Sequence, residues 1–159
     1  MKPLGGQFQS KQGRAGFTEV GSSLPITIID DEKRRLVFYR ESKVVHHTIK
    51  APLHGNDFRD LLSRGADCLE RNNAAKWLSD DRANEPLSTD DNAWADSIWV
   101  PRVMRAGFKY WAIVVPKSAT GSLQMRRLSN EFSDRGVEVK VLSTLESAMT
   151  WLKSVDQTG

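Results

Sequence analysis

An apolar, strand-like run from Ala74 to Leu78 ends in four polar residues, Ser79, Asp80, Asp81 and Arg82. Two carboxylates and a guanidinium this close can pair with each other and fix the loop that follows, or each can face a ligand. As chemistry, Asp80 or Asp81 would act as a base and Arg82 would hold an anion or a partner's carboxylate. No third group is in evidence to orient or activate the pair, so no catalytic residue is assigned. The stretch therefore reads as a clamp that shapes a binding loop. Ser88 or Asp90 would then cap the next helix, and Ser88-x-x-Asp91 has the spacing for it.

Other candidates follow along the chain. The segment "DDNAWADSIWVPRVMRAG" carries Trp94, Trp99 and Arg102 on a helix ending at Gly107. Ala95, Ile98, Trp99, Val103 and Ala106 share one helical face, the expected core face, and Trp94 lies toward its edge. Pro101 removes a backbone donor in mid-helix and should kink it. A bent helix with two tryptophans can wall a pocket, form an interface or simply pack in the core. Lys117 in "VPKSATGS" precedes a helix N-terminus where an anion could sit. It comes before the glycine, however, so nucleotide hydrolysis is not indicated.

His46 and His47 are adjacent on a predicted strand and must point to opposite faces, so they cannot readily chelate one metal together. His54 stands alone near the next turn, and Cys68 sits on a helix with Leu62 and Leu69 nearby. Each reads as structural. With no second cysteine and no GxSxG, HExxH or GxGxxG motif, no metal or cofactor is expected.

These residues need elements to position them. From Leu24 onward, "PITIID", "RRLVFYRE" and "KVVHHTIK" read as three antiparallel strands. "NDFRDLLSRGADCLE" is a helix with Asn56 as its expected N-cap. Then come the strand "AAKWLS", the Trp-bearing helix, the strand "YWAIVV", the helix "SLQMRRLSNEFSDRG" ending at Gly136, and the strand "VEVKVLS". The last helix, "STLESAMTWLKSV", opens with the pattern Ser143-x-x-Glu146 of a capping box. Strands separated by helix-length connections predict parallel pairing with right-handed crossovers. The fold class is α/β: a mixed sheet with N-terminal antiparallel strands and parallel strands joined by helices on both faces. Residues 24–156 would form the single domain and residues 1–23 a flexible lead-in, partly docked through Phe8 or Phe17. Ligands of such sheets bind beyond the carboxyl ends of the strands, which points to the loops 79–90 and 116–122.

Composition sets the outer bounds. The chain has 159 residues, 39% of them hydrophobic and 27% charged, with a net charge of +3 and one cysteine. Lysines and arginines are interleaved with acids, which argues against a nucleic-acid partner. No apolar run reaches the length of a membrane span and the first residues lack a signal-peptide core, so the expected location is the cytoplasm.

The ordered set "KWLSDDR", "DDNAWADSIWVPRVMRAGFKYWAIVVP" and "GVEVKVLSTLESAMTWL" resembles the SpoIIAA-like family of the STAS superfamily over roughly Ile26 to Lys153. Asp80 with Arg82, the Trp94/Trp99-Pro101-Arg102 helix, Gly107, and Ala148-Trp151-Leu152 carry the resemblance. It implies a mixed sheet flanked by helices and a regulatory or ligand-sensing role without catalysis. STAS domains that antagonise anti-sigma factors carry a phosphorylated Ser or Thr just after the equivalent strand. Here Asp80-Asp81-Arg82 occupies that place, and Ser88 and Thr89, the nearest phosphosite candidates, follow only after a longer loop. The departure argues against a phosphoswitch. The related CRAL-TRIO lipid-transfer fold implies a small apolar ligand as the alternative. The resulting expectation is a non-catalytic module that binds a protein partner or a small ligand near Asp80, Asp81, Arg82, Trp94, Trp99, Arg102 and Lys117. Exposed sheet edges and the bent helix also offer surfaces for a homodimer.

Overall fold

Alternating β-branched and aromatic residues form three N-terminal strands, β1 (Ile26–Asp30), β2 (Arg34–Tyr39) and β3 (Val44–Ile49). They pair antiparallel, with an irregular register between Thr27 and Ile29 in β1. The computed structural model describes residues 24–157; the expected lead-in with Phe8 and Phe17 lies outside the described residues. Three further strands, β4 (Lys76–Asp80), β5 (Tyr110–Val114) and β6 (Glu138–Leu142), pair parallel, with β4 beside β3. All five residues of β4 are buried, as befits a parallel strand covered on both faces.

The strand order is sequential, β1 to β6, with no reversal. Crossovers of one hand then carry successive helices to the same side of the sheet. Helix α1 (Gly55–Asn72), helix α2 (residues 89–105) and helix α3 (Leu123–Ser133) cover that face, where Phe58, Leu61, Trp77, Trp99, Phe108 and Phe132 share one core cluster. Among the described residues only α4 (Leu145–Ser154) covers the other, packing Ala148 and Leu152 on Val44, Leu78, Ala112 and Val114. Because the order of the described strands never reverses, they form no switch-point crevice. Any cavity on the first face must lie between helices.

Helix α2 is continuous but has three parts: α-helical Thr89–Trp94, π-helical Ala95–Trp99 and α-helical Val100–Arg105. The Val100 N–H reaches back five residues to the Ala95 carbonyl. The expected disruption at Pro101 thus takes the form of a wide turn just before the proline, a recurrent way of absorbing an irregularity in the ladder. The wide turn shifts the helical phase. Trp99, Val100 and Val103 are buried, whereas Ile98, expected in the core, is 56% exposed.

Two helix starts differ from expectation. Helix α1 begins at Gly55, ahead of Asn56, because an Asp91 carboxylate oxygen on α2 accepts the Gly55 N–H at 3.0 Å. Asp91 is 1% exposed and also accepts from Arg59 Nε at 3.3 Å. Helix α4 is capped by Thr144, whose hydroxyl accepts the Ser147 N–H, and not by Ser143. Ser88 does cap α2, accepting the Asp91 N–H at 3.1 Å.

The Gly55 N–H foremost, against the opposing effect of burial and with help from Arg59 and Ser88, holds the Asp91 carboxyl below its ordinary 3.8. An aspartate depressed in the folded state stabilises above its unfolded value, and that contribution is lost as pH falls through the folded one. Asp91→Ala is expected to lower stability at neutral pH by about 1 kcal/mol, since it leaves two half-buried donors on α1 without their acceptor. Urea unfolding of Asp91→Asn should in addition show a shallower loss of stability below pH 3.8 than the parent. Parallel acid limbs would rule out the carboxylate as the anchor.

Candidate functional site

The carboxyl ends of β3, β4 and β5 open into a cavity of about 500 Å³ between α2 and α3. Strand alternation supplies its inner wall. His47, Trp77, Ser79 and Trp111 all point to the helix-rich face, and the pairing sets His47 beside Ser79 and Trp77 beside Trp111. Trp99 comes from α2, Phe58 and Leu62 from α1, and Met125, Leu128 and Phe132 from α3. The loop from Asp81 to Leu87 borders the opening, with a turn closed by the Asn84 N–H on the Asp81 carbonyl at 3.1 Å.

The aromatic rings meet edge to face or tilted, the arrangement favoured by their quadrupoles. Trp77 and Trp99 have centroids 5.1 Å apart at 89°, and Trp111 and Phe132 4.8 Å apart at 77°. Each indole N–H in this wall has a partner inside the protein. Trp77 Nε1 donates to His47 Nδ1 at 3.0 Å, Trp99 Nε1 to the Leu62 carbonyl at 3.0 Å, and Trp111 Nε1 to Ser79 Oγ at 2.9 Å. These bonds fix ring orientation. Ser79→Ala is expected to cost about 1–2 kcal/mol by leaving the Trp111 N–H without its acceptor, measurable by urea unfolding.

His47 is buried, and an indole N–H can only donate, so its Nδ1 carries no proton. Its Nε2 donates to Asp81 Oδ1 at 2.8 Å. Both ring nitrogens are therefore committed, and the adjacent Ser79 hydroxyl faces no free base. The trio of Ser79, His47 and Asp81 holds aromatic walls in place; it does not form a nucleophile–base pair.

The residues singled out in the sequence separate in space. Asp81, Arg82 and Trp99 line the cavity. Asp80 points to the opposite face of β4, buried, and takes Arg82 Nε and Nη2 at 2.8 Å each. Burial opposes its ionised form, but the Arg82 hydrogen bonds and charge prevail and keep the carboxyl below the usual range. The Asp-Arg clamp expected from the sequence is thus present, joining the two faces around the strand end. Trp94 lies off the cavity, edge-on to Phe58 with Arg59 over its ring. Arg102 binds Glu70 and Asp67 on α1, fixing α2 to α1 from the outside, and these partners raise its already high pKa further. Lys117 is exposed in a short 3-10 turn outside the cavity lining. Of Trp94, Trp99 and Met104, neighbours along α2, only Trp99 lines the cavity.

Ser88 and Thr89 lie at the start of α2, with the Ser88 hydroxyl occupied as a cap. His46 faces away from His47, between Tyr39 and Thr48, and His54 precedes α1. Burial and the neighbouring Asp67 push the Cys68 thiol up. Among the described residues no group of three or more His, Cys, Asp or Glu side chains could hold a metal ion, and no helix is long and apolar enough to cross a membrane. Trp77 and Trp111 are not among the residues singled out in the sequence, and Ser79 and His47 enter it without a role in a binding site. The usable signal was the repeated pairing of a polar or aromatic residue with tryptophan at the starts of "KWLSD" and "YWAIV", which places both indoles on the same side of adjacent strands.

No family model and no curated protein matches the chain. The structure is similar to the crystal structure of an uncharacterized protein of the DUF3478 family with a SpoIIAA-like fold from Shewanella loihica PV-4. The two are 16% identical, with a TM-score of 0.50, over 81% of this chain and 92% of that one. The fold is SpoIIAA-like, as the sequence resemblance implied.

Proposed function

We propose that this SpoIIAA-like domain is a non-catalytic binding module that takes a small, largely apolar ligand between α2 and α3. The observation that carries this reading is the cavity of about 500 Å³, walled by three tryptophans and two phenylalanines at the carboxyl ends of the central strands. Concave apolar sites with a few polar groups at the rim are the usual form of a small-molecule site. Arg82 and Asp81 belong to that rim, while Arg102 and Lys117 play no part in it. The commitment of both His47 nitrogens supports binding over turnover.

Native mass spectrometry of freshly purified protein tests the reading, beside a variant that fills the cavity, Leu128→Trp. A bound mass lost on denaturation, and lost in the variant whose circular dichroism is unchanged, is the expected result. A mass retained by the filled variant places the ligand elsewhere.

One observation favours a protein partner as a second reading. Ile98 on α2 and Leu123 at the start of α3 are 56% and 54% exposed. Residues close to both in the chain, Asp96 and Gln124, line the cavity, so a partner docking there would meet apolar contacts around the opening. Substituting Ile98 and Leu123 with Glu would abolish capture of such a partner and leave small-molecule binding intact.

A further inference from the structure

The polar chemistry of the cavity selects among apolar ligands. Resting on the ligand-binding reading above, we infer that the natural ligand is an amphipathic amine, an apolar or aromatic body carrying a cationic, donor-rich head.

The argument begins with the hydrogen-bond inventory. The wall's strongest donors already have partners: the indole N–H groups of Trp77, Trp99 and Trp111 and the imidazole N–H of His47. What the walls offer an occupant is the π system of the rings, whose negative faces attract a cation. The acceptors are in the opposite condition. Among the described residues Asn84 Oδ1, on the loop that borders the opening, is a buried acceptor without a hydrogen-bond partner. An orphaned buried acceptor is unfavourable until a donor reaches it. Asp81 uses one carboxylate oxygen on His47, and Glu85 and Asp96 add two exposed carboxylates to the rim.

Charge points the same way. Among the described residues the lining contains three carboxylates and a single guanidinium, Arg82, which is bound through two nitrogens to Asp80 on the other face. The N-terminus of α3 also borders the cavity and would favour an anion, but its Met125 N–H is capped by Ser122 at 3.3 Å. A carboxylate head would therefore meet like charge, whereas an ammonium would meet acceptors and ring faces together.

Isothermal titration calorimetry at low salt with naphthylethylamine, naphthylethanol and naphthylpropionate, three bodies differing in the head group, tests this. The amine should bind about tenfold more tightly than the alcohol and the carboxylate most weakly. Added salt should weaken the amine alone. The double variant Glu85→Gln/Asp96→Asn, both exposed and so compatible with the fold, should bring the amine closer to the alcohol's affinity and leave the alcohol unchanged. Equal binding of amine and alcohol, or tighter binding of the carboxylate, overturns the head-group assignment while leaving the cavity reading standing. If none of the three binds, both fall.

Discussion

Gly65→Ala is expected to destabilise the protein by about 2–3 kcal/mol, although alanine is the better helix former by about 1 kcal/mol. Gly65 sits in the middle of α1, where its bare backbone rests on the six-membered ring of Trp77. A Cβ built there would come within 2.8 and 2.9 Å of Cζ2 and Cζ3, and closer still to Cη2. Trp77 cannot retreat. It is fully buried, its indole N–H is held by His47, and Trp99 and Phe108 meet it edge-on. The added methyl must therefore move α1 away from the sheet, and with it Phe58 and Leu62 at the cavity wall. A double-mutant cycle identifies the cause: in a Trp77→Leu background, itself less stable, the same glycine substitution should become neutral or favourable. A Gly65→Ala protein as stable as the parent, or an equal penalty in both backgrounds, would show that the contact is not the constraint.

The second large effect is a loss of stability in mild acid. His46 lies on the α4 side of β3, its ring stacked on Tyr39 and within hydrogen-bond reach of the Tyr39 and Thr48 hydroxyls. Burial first, then the adjacent His47, Arg35 and Arg82, push its pKa down to about 4, with Asp80 opposing. In the unfolded chain it returns to its ordinary 6.5. Between these values the unfolded state binds more protons, so stability must rise with pH across the window and fall as the solution is acidified from 6.5 toward 4. The shift corresponds to about 2–3 kcal/mol over that window. Urea unfolding at several pH values should show this slope in the parent and a much smaller one in His46→Gln, which keeps hydrogen bonding but cannot titrate. Superimposable pH profiles would mean that His46 titrates alike in the folded and the unfolded chain. This window lies above the acid limb assigned to Asp91, so the two contributions separate in one experiment.

Both effects depend on partners far apart in the chain, and they mark where the sequence stops being legible. Gly65 looked like an unremarkable residue in a helical run, because nothing local says that an indole will press on it. His46 and His47 were rightly placed on opposite faces, since alternation belongs to the strand itself. Which of them would meet Asp81 and Trp77 depended on how β3 registers against β4.

The elements themselves, their order, the stops at Gly107 and Gly136 and the cap at Ser88 were all present in the sequence, as was the SpoIIAA-like arrangement. So was the Asp80–Arg82 clamp, because two residues at this spacing can meet with no help from the rest of the fold. These features rest on interactions within a few residues, where chain geometry alone decides. The cavity is different. It required the strands to add in sequence without reversal, so that α1, α2 and α3 share one face, and it required the wide turn at Ala95–Trp99 that turns Ile98 outward and leaves Trp99 in the wall. It also required indole N–H groups to find acceptors on neighbouring strands or helices, and α1 to take its cap from Asp91. The sequence by itself determined which face each residue shows its own element. Tertiary structure decided what that face meets, because strand register and helix phase are settled by packing across the whole domain.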